Sequence, residues 1–160
     1  MKLVSLLILA LLATPPALAQ PPAAPAPIEL GEVSLEPAQP AADTLCKLRV
    51  TLKNGSARMV SSLRFEVRLN GQPLTVYSNQ AFLEKLAPGA SQTVQLYNFW
   101  TTETGRPAAV DGRLTVEVRL VAARYLAGSK DAQGNDVWQL EEAVPGLPVS
   151  ATRTVTLARR

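Results

Sequence analysis

The chain predicts an all-β fold, a two-layer antiparallel β-sandwich of roughly seven to nine short strands. Three observations lead there. Leu63, Phe65, Val67 and Leu69 alternate with Arg64, Glu66 and Arg68, the two-residue period of a strand with one buried and one solvated face. Leu114, Val116, Val118, Leu120 and Ala122 alternate in the same way with Arg113, Thr115, Glu117 and Arg119. Between the apolar runs stand Asn54-Gly55-Ser56, Asn70-Gly71, Pro88-Gly89 and Pro145-Gly146, residues that set turn geometry.

Taken in order, the first elements are an export signal and a spacer. Lys2, an apolar run over residues 3–12, Pro15-Pro16 and Ala17-Leu18-Ala19 follow the charged, apolar and small-residue order of a secretory signal peptide, residues 1–19. The apolar run is about ten residues, short of the roughly 20 that cross a bilayer. No membrane span is therefore expected after cleavage. Gln20 stands where a lipoprotein would need cysteine. The expected destination is the periplasm or the cell exterior. Residues 20–27, Gln-Pro-Pro-Ala-Ala-Pro-Ala-Pro, favour extended polyproline geometry and read as a linker. Residues 28–160 carry the sandwich.

In residues 28–36, Ile28 and Leu30 share one phase and Val33 and Leu35 the other, so a bulge at Gly31 is expected to bring both pairs to one face. The second strand covers about residues 44–53 and turns at Asn54-Gly55-Ser56. After the strand at 63–69, Asn70-Gly71 makes a two-residue hairpin turn, and Pro73 puts the return strand of Leu74 and Val76 at an edge. Ser78-Asn79-Gln80 is a turn, and Phe82, Leu83 and Leu86 cover a short connection. Residues 91–100 form a strand with Val94 and Leu96 inward, and residues 101–112 a long polar loop. The alternation that begins at Arg113 continues through Ala123-Arg124-Tyr125-Leu126. Residues 128–136 read as a loop, 137–140 as a return and 149–157 as a final strand.

Composition narrows the chemistry. Sixteen basic and 13 acidic residues give a net charge of +3, and loss of Lys2 with the signal leaves +2. The arginines are scattered at alternate strand positions, with no basic run interleaved with aromatics, so nucleic acid is not an expected partner. Histidine is absent, which excludes Ser-His-Asp and Cys-His catalysis and histidine-ligated zinc. Cys46 is the single cysteine, so no intramolecular disulfide and no thiolate metal cage can form. In phase with Leu48, Val50 and Leu52, it reads as a small buried hydrophobe, with an intermolecular disulfide or reactive thiol as the alternatives.

Three stretches carry a resemblance. Residues 48–56, ending in Asn54-Gly55-Ser56, residues 65–71, and residues 86–94, with Leu86-Ala87-Pro88-Gly89 leading to Val94, are similar to bacterial immunoglobulin-like or fibronectin-type-III-like domains of cell-adhesion-related modules. The resemblance covers residues 28–126 and implies an immunoglobulin-like sandwich with an extracellular binding or spacer role. It implies no reaction.

The candidate contact site is Tyr97, Phe99 and Trp100, within Tyr97-Asn98-Phe99-Trp100 at the mouth of the long loop. With Val94 and Leu96 inward, a regular strand sends Tyr97 and Phe99 outward, where aromatics stack on sugars or anchor a protein. A bulge or an overlying loop would instead make them core. Glu103 with Asp111, or Glu141-Glu142, are the carboxylates a small glycoside hydrolase could use, although solvated loop acids are the plainer account. Asp131, Asn135 and Asp136 offer oxygen ligands for calcium but not the spacing of an EF-hand, so a hairpin turn is the simpler reading and no metal is assigned. The sequence thus leads to an exported, non-catalytic binding or assembly module without a cofactor, whose partner is a protein or a cell-surface glycan. An accessory carbohydrate-binding module is the alternative, and a hydrolase the last reading.

Overall fold

In the computed structural model, residues 26–74, 81–82, 85–102 and 112–158 are described. The signal peptide, most of the linker, the turn at Ser78 and Glu103 with Asp111 lie outside them. The described residues form two antiparallel sheets and no helix. One sheet holds β1 (Ile28–Glu36), β2 (Leu45–Asn54) and β6 (Ser91–Trp100) in the order β1-β2-β6. In the other, β3 (Met59–Leu69) lies beside the long strand β7 (Arg113–Lys130). The short strands β4 (Gln72–Pro73) and β5 (Ala81–Phe82) pair with the outer side of β3. β8 (Asp136–Ala143) and β9 (Val149–Thr156) share the far side of β7, against its C-terminal and N-terminal halves respectively.

The inward residues of both sheets form one core. Cys46, Leu48, Val50 and Leu52 from β2 face Leu63, Phe65, Val67 and Leu69 from β3 and Leu114, Val116, Val118 and Leu120 from β7. Burial of these aliphatic rows removes apolar surface from water at about 25 cal/mol per Å², which is what sets the register. The outward rows of β2 and β1 are charged and pair across the strands: Glu36 meets Arg49 at 2.9 Å and Lys47 at 3.5 Å, and Glu29 meets Lys53 at 3.7 Å.

Bulges decide which side chains reach the core. The β1–β2 register shifts between Leu30 and Val33, as the phase change at Gly31 requires, and Ile28, Val33 and Leu35 are buried together. In β7 the even-numbered phase stops at Leu120. The pairing steps from Phe65–Leu120 to Arg64–Ala122, one extra residue enters at Val121, and Ala123 and Tyr125 become the buried positions in place of Ala122. The Asn70-Gly71 turn is as expected, with φ of 48° and 78° at its two central residues and Leu69 paired to Gln72. Its Asn70 also accepts a hydrogen bond at Oδ1 from the Thr115 N–H, 2.8 Å, which ties the hairpin to the start of β7.

Two of the stretches that carried the resemblance dock on each other. Asn54 is fully buried, and its Nδ2 donates to the carbonyls of Arg58 (2.8 Å), Leu86 (3.0 Å) and Ala87 (3.3 Å). Its Oδ1 accepts from the Ser56 N–H and hydroxyl, so every hydrogen-bonding site of this amide is engaged. Main-chain bonds from Asn54 N to Ala90 O and from Gly89 N to Asn54 O complete the joint between the two turns.

Candidate functional site

The aromatic cluster at the end of β6 is divided by a bulge. β6 pairs with β2 as Val50–Val94, Arg49–Gln95, Leu48–Tyr97 and Cys46–Phe99, so Leu96 is the extra residue. Beyond it the inward phase changes from even to odd numbers. Phe99, expected to point outward, is therefore 0% exposed beside Cys46 in the core and is unavailable to a partner. Tyr97 is half-buried against the core, and its hydroxyl has no hydrogen-bond partner among the described residues. Loss of water around it pushes its phenol pKa up.

Trp100 is the member of the cluster that reaches solvent, 46% exposed, and directly opposite it on β2 stands Leu45, 45% exposed. Their backbone is fixed by Thr101, whose N–H donates to Thr44 O at 3.0 Å. The buried Thr101 hydroxyl accepts from Thr44 N and donates to Ala41 O, both at 3.1 Å. Beside this apolar pair on the same outer face lie Asn98 and Gln95, joined through Gln95 Nε2 and Asn98 Oδ1 at 3.1 Å, with Lys47 and Arg49 on the neighbouring strand. The face offers one large ring, an aliphatic neighbour, amide donors and acceptors, and the Lys47 and Arg49 cations, both ion-paired with Glu36 of β1. Such a surface holds a partner by stacking and hydrogen bonding.

The other candidate residues fall into structural roles. Glu141 and Glu142 both ion-pair with Arg58, which drive its guanidinium pKa higher still. The same guanidinium lies 3.9 Å from the centroid of Tyr125. Asp131 closes a tight turn: its carboxylate accepts from the N–H groups of Gln133 (2.9 Å) and Asn135 (2.8 Å) and from the Asn135 side-chain amide (3.0 Å). These donors hold the Asp131 carboxyl below its ordinary pKa, with the Asn135 amide the largest contribution. Asp136 instead pairs with Lys130 at 2.6 Å. No group of three potential metal ligands occurs among the described residues. Cys46 is fully buried, and desolvation pushes its thiol pKa up.

Sequence reasoning missed the exposed residues of β8. Residues 128–130 continue β7 instead of opening a loop, and the turn is confined to residues 131–135. Val137, Trp138 and Leu140 of the return strand are all exposed. The available signal was Val137-Trp138-Gln139-Leu140 itself, which puts large apolar residues in both phases and so cannot bury them on one face. No helix among the described residues is long and apolar enough to cross a membrane. Compared with protein-family models and with curated proteins, the chain matches none.

Proposed function

We propose that this chain is an exported, non-catalytic binding or assembly module with an immunoglobulin-like sandwich, acting in the periplasm or outside the cell on a protein partner. The observation that carries the reading is the Trp100–Leu45 pair. A tryptophan and a leucine in register on an outer sheet face, at 46% and 45% exposure, keep nearly half of their surface in contact with solvent after folding. Tryptophan is among the residues that contribute most to binding when a partner desolvates it. The signal-peptide pattern over residues 1–19 supports export, since that order of segments is read by the secretion machinery.

A second reading, an accessory carbohydrate-binding module, is favoured by one feature of the same face. The Trp100 ring is accompanied on the outer face by the side-chain amides of Gln95 and Asn98, a combination that stacks on a sugar ring and hydrogen-bonds its hydroxyls. Binding of the purified chain and its Trp100→Ala variant to cell-envelope extracts and to a glycan array tests both readings. A captured protein that Trp100→Ala loses supports the first, and a captured glycan that it loses supports the second. Equal binding by the two forms would remove Trp100 from the site, and release of sugar products would restore the hydrolase.

A further inference from the structure

Two asparagines of the chain, Asn54 and Asn70, are followed by glycine. That dipeptide carries a reaction of its own, because glycine has no Cβ to hold its main-chain nitrogen away from the preceding side-chain amide. The nitrogen attacks Cγ, a five-membered succinimide closes and ammonia leaves. The reaction needs a nitrogen that is free, a carbonyl that is polarised and access to solvent. Both dipeptides polarise the carbonyl, and they differ in the other two respects.

At Asn54 the fold blocks the reaction. The Gly55 N–H donates to Pro27 O at 2.9 Å, so the nucleophile is already engaged. Asn54 is 0% exposed, its Nδ2 donates to the carbonyls of Arg58, Leu86 and Ala87, and its Oδ1 accepts from the Ser56 N–H and hydroxyl. Turning its Cγ toward the glycine nitrogen would break these bonds together in a site closed to solvent.

Asn70 and Gly71 sit at the tip of the β3–β4 hairpin, Asn70 half-buried and Gly71 exposed. Open space surrounds Gly71, and its N–H donates to no acceptor among the described residues. The Thr115 N–H lies 2.8 Å from Asn70 Oδ1. It polarises the amide carbonyl and stands where negative charge collects once Cγ becomes tetrahedral, as an oxyanion donor does. That donor is held in place beforehand, because Thr115 lies in β7 next to Val116, which pairs with Leu69 of β3.

We propose that Asn70-Gly71 is a self-modification site of the folded chain, converting Asn70 to aspartate and isoaspartate, while the fold protects Asn54-Gly55. The Gly71 nitrogen gives up its proton to solvent and bonds to Asn70 Cγ, and the Cγ–Nδ2 bond breaks as ammonia takes up a proton. Water then opens the ring. Cleavage at Cγ leaves aspartate, and cleavage at the main-chain carbonyl of residue 70 leaves isoaspartate. No oxidant, metal or partner is required. An aspartate keeps the bond from the Thr115 N–H and makes it charge-assisted. Isoaspartate adds a methylene to the main chain of a two-residue turn, which the pairing of Leu69 with Gln72 does not accommodate. One product thus preserves the hairpin and the other loosens β4.

The test ages the purified chain in mildly alkaline buffer, with and without denaturing urea, and follows amide-to-acid conversion at each asparagine by peptide mapping and mass spectrometry. Asn70 is expected to convert in the native chain at least as fast as in urea, and faster as pH rises, since the Gly71 nitrogen must lose its proton. Asn54 should convert in urea and about a hundredfold or more slowly in the native chain, where the reaction waits for local opening. A native rate at Asn70 well below its rate in urea would show that the turn locks this residue too, and would overturn the proposal. Conversion of Asn54 at similar rates in the native and unfolded chains would overturn the protection assigned to the fold.

Discussion

At the scale of single residues, the sandwich depends on a few polar groups placed where an apolar side chain would be expected. Asn54 is the clearest. Its amide joins the turn after β2 to the segment before β6, and its removal leaves the Leu86 and Ala87 carbonyls without that donor. Asn54→Ala should destabilise the protein by about 1–3 kcal/mol, because several buried hydrogen bonds are lost together, while Leu86 O and Ala87 O keep the Val60 and Ala90 N–H donors. Urea denaturation of the variant measures it, and an unchanged midpoint would show that water replaces the amide. Cys46 is the opposite case, an ionisable group used as a hydrophobe. Since burial raises its pKa, the thiol stays protonated at neutral pH and out of reach. A thiol reagent should label it only in denaturant. Fast labelling of the native protein, or a dimer released by reductant, would contradict that burial.

At the scale of elements, alternation and turn chemistry were legible and bulges were legible in only one place. The strand of Leu63, Phe65, Val67 and Leu69, the Asn70-Gly71 hairpin and the β6 span were written in residue order, because each depends on neighbours a few positions apart. At Gly31 two apolar pairs out of phase revealed the bulge. At Leu96 and Val121 the extra residue is itself apolar and the phase change leaves no polar mark, so Phe99 and Ala122 were placed on the wrong faces. The β7–β8 hairpin beyond Leu126 was hidden for another reason: its polar, glycine-rich turn resembles a loop, and the pairing of Gly128 with Trp138 joins residues across that turn. The hairpin turn gives the sharpest check at this scale. Gly71 has φ of 78°, where a β-branched residue is strained, so Gly71→Val should cost about 1–2 kcal/mol. An unchanged thermal midpoint would mean that the hairpin accommodates a different turn.

At the scale of the whole molecule, one core is shared by two sheets, and among the described residues the large apolar side chains it leaves exposed gather at the Trp100 face and on β8. Such a core is expected to unfold in one cooperative step, which gives single-site stability changes a defined meaning. The Leu96 bulge divides the aromatic cluster, with Phe99 inside and Trp100 outside, and the contact face depends on that division. Equilibrium denaturation of Phe99→Ala and Trp100→Ala, read side by side, tests that division. Phe99→Ala should lose about 3–5 kcal/mol, the cost of a cavity in the core. Trp100→Ala should stay within about 0.5 kcal/mol of the parent, as surface substitutions do. A loss of several kcal/mol at Trp100 would make it a core residue and end its role as the contact, and an unperturbed Phe99→Ala would contradict the bulge itself.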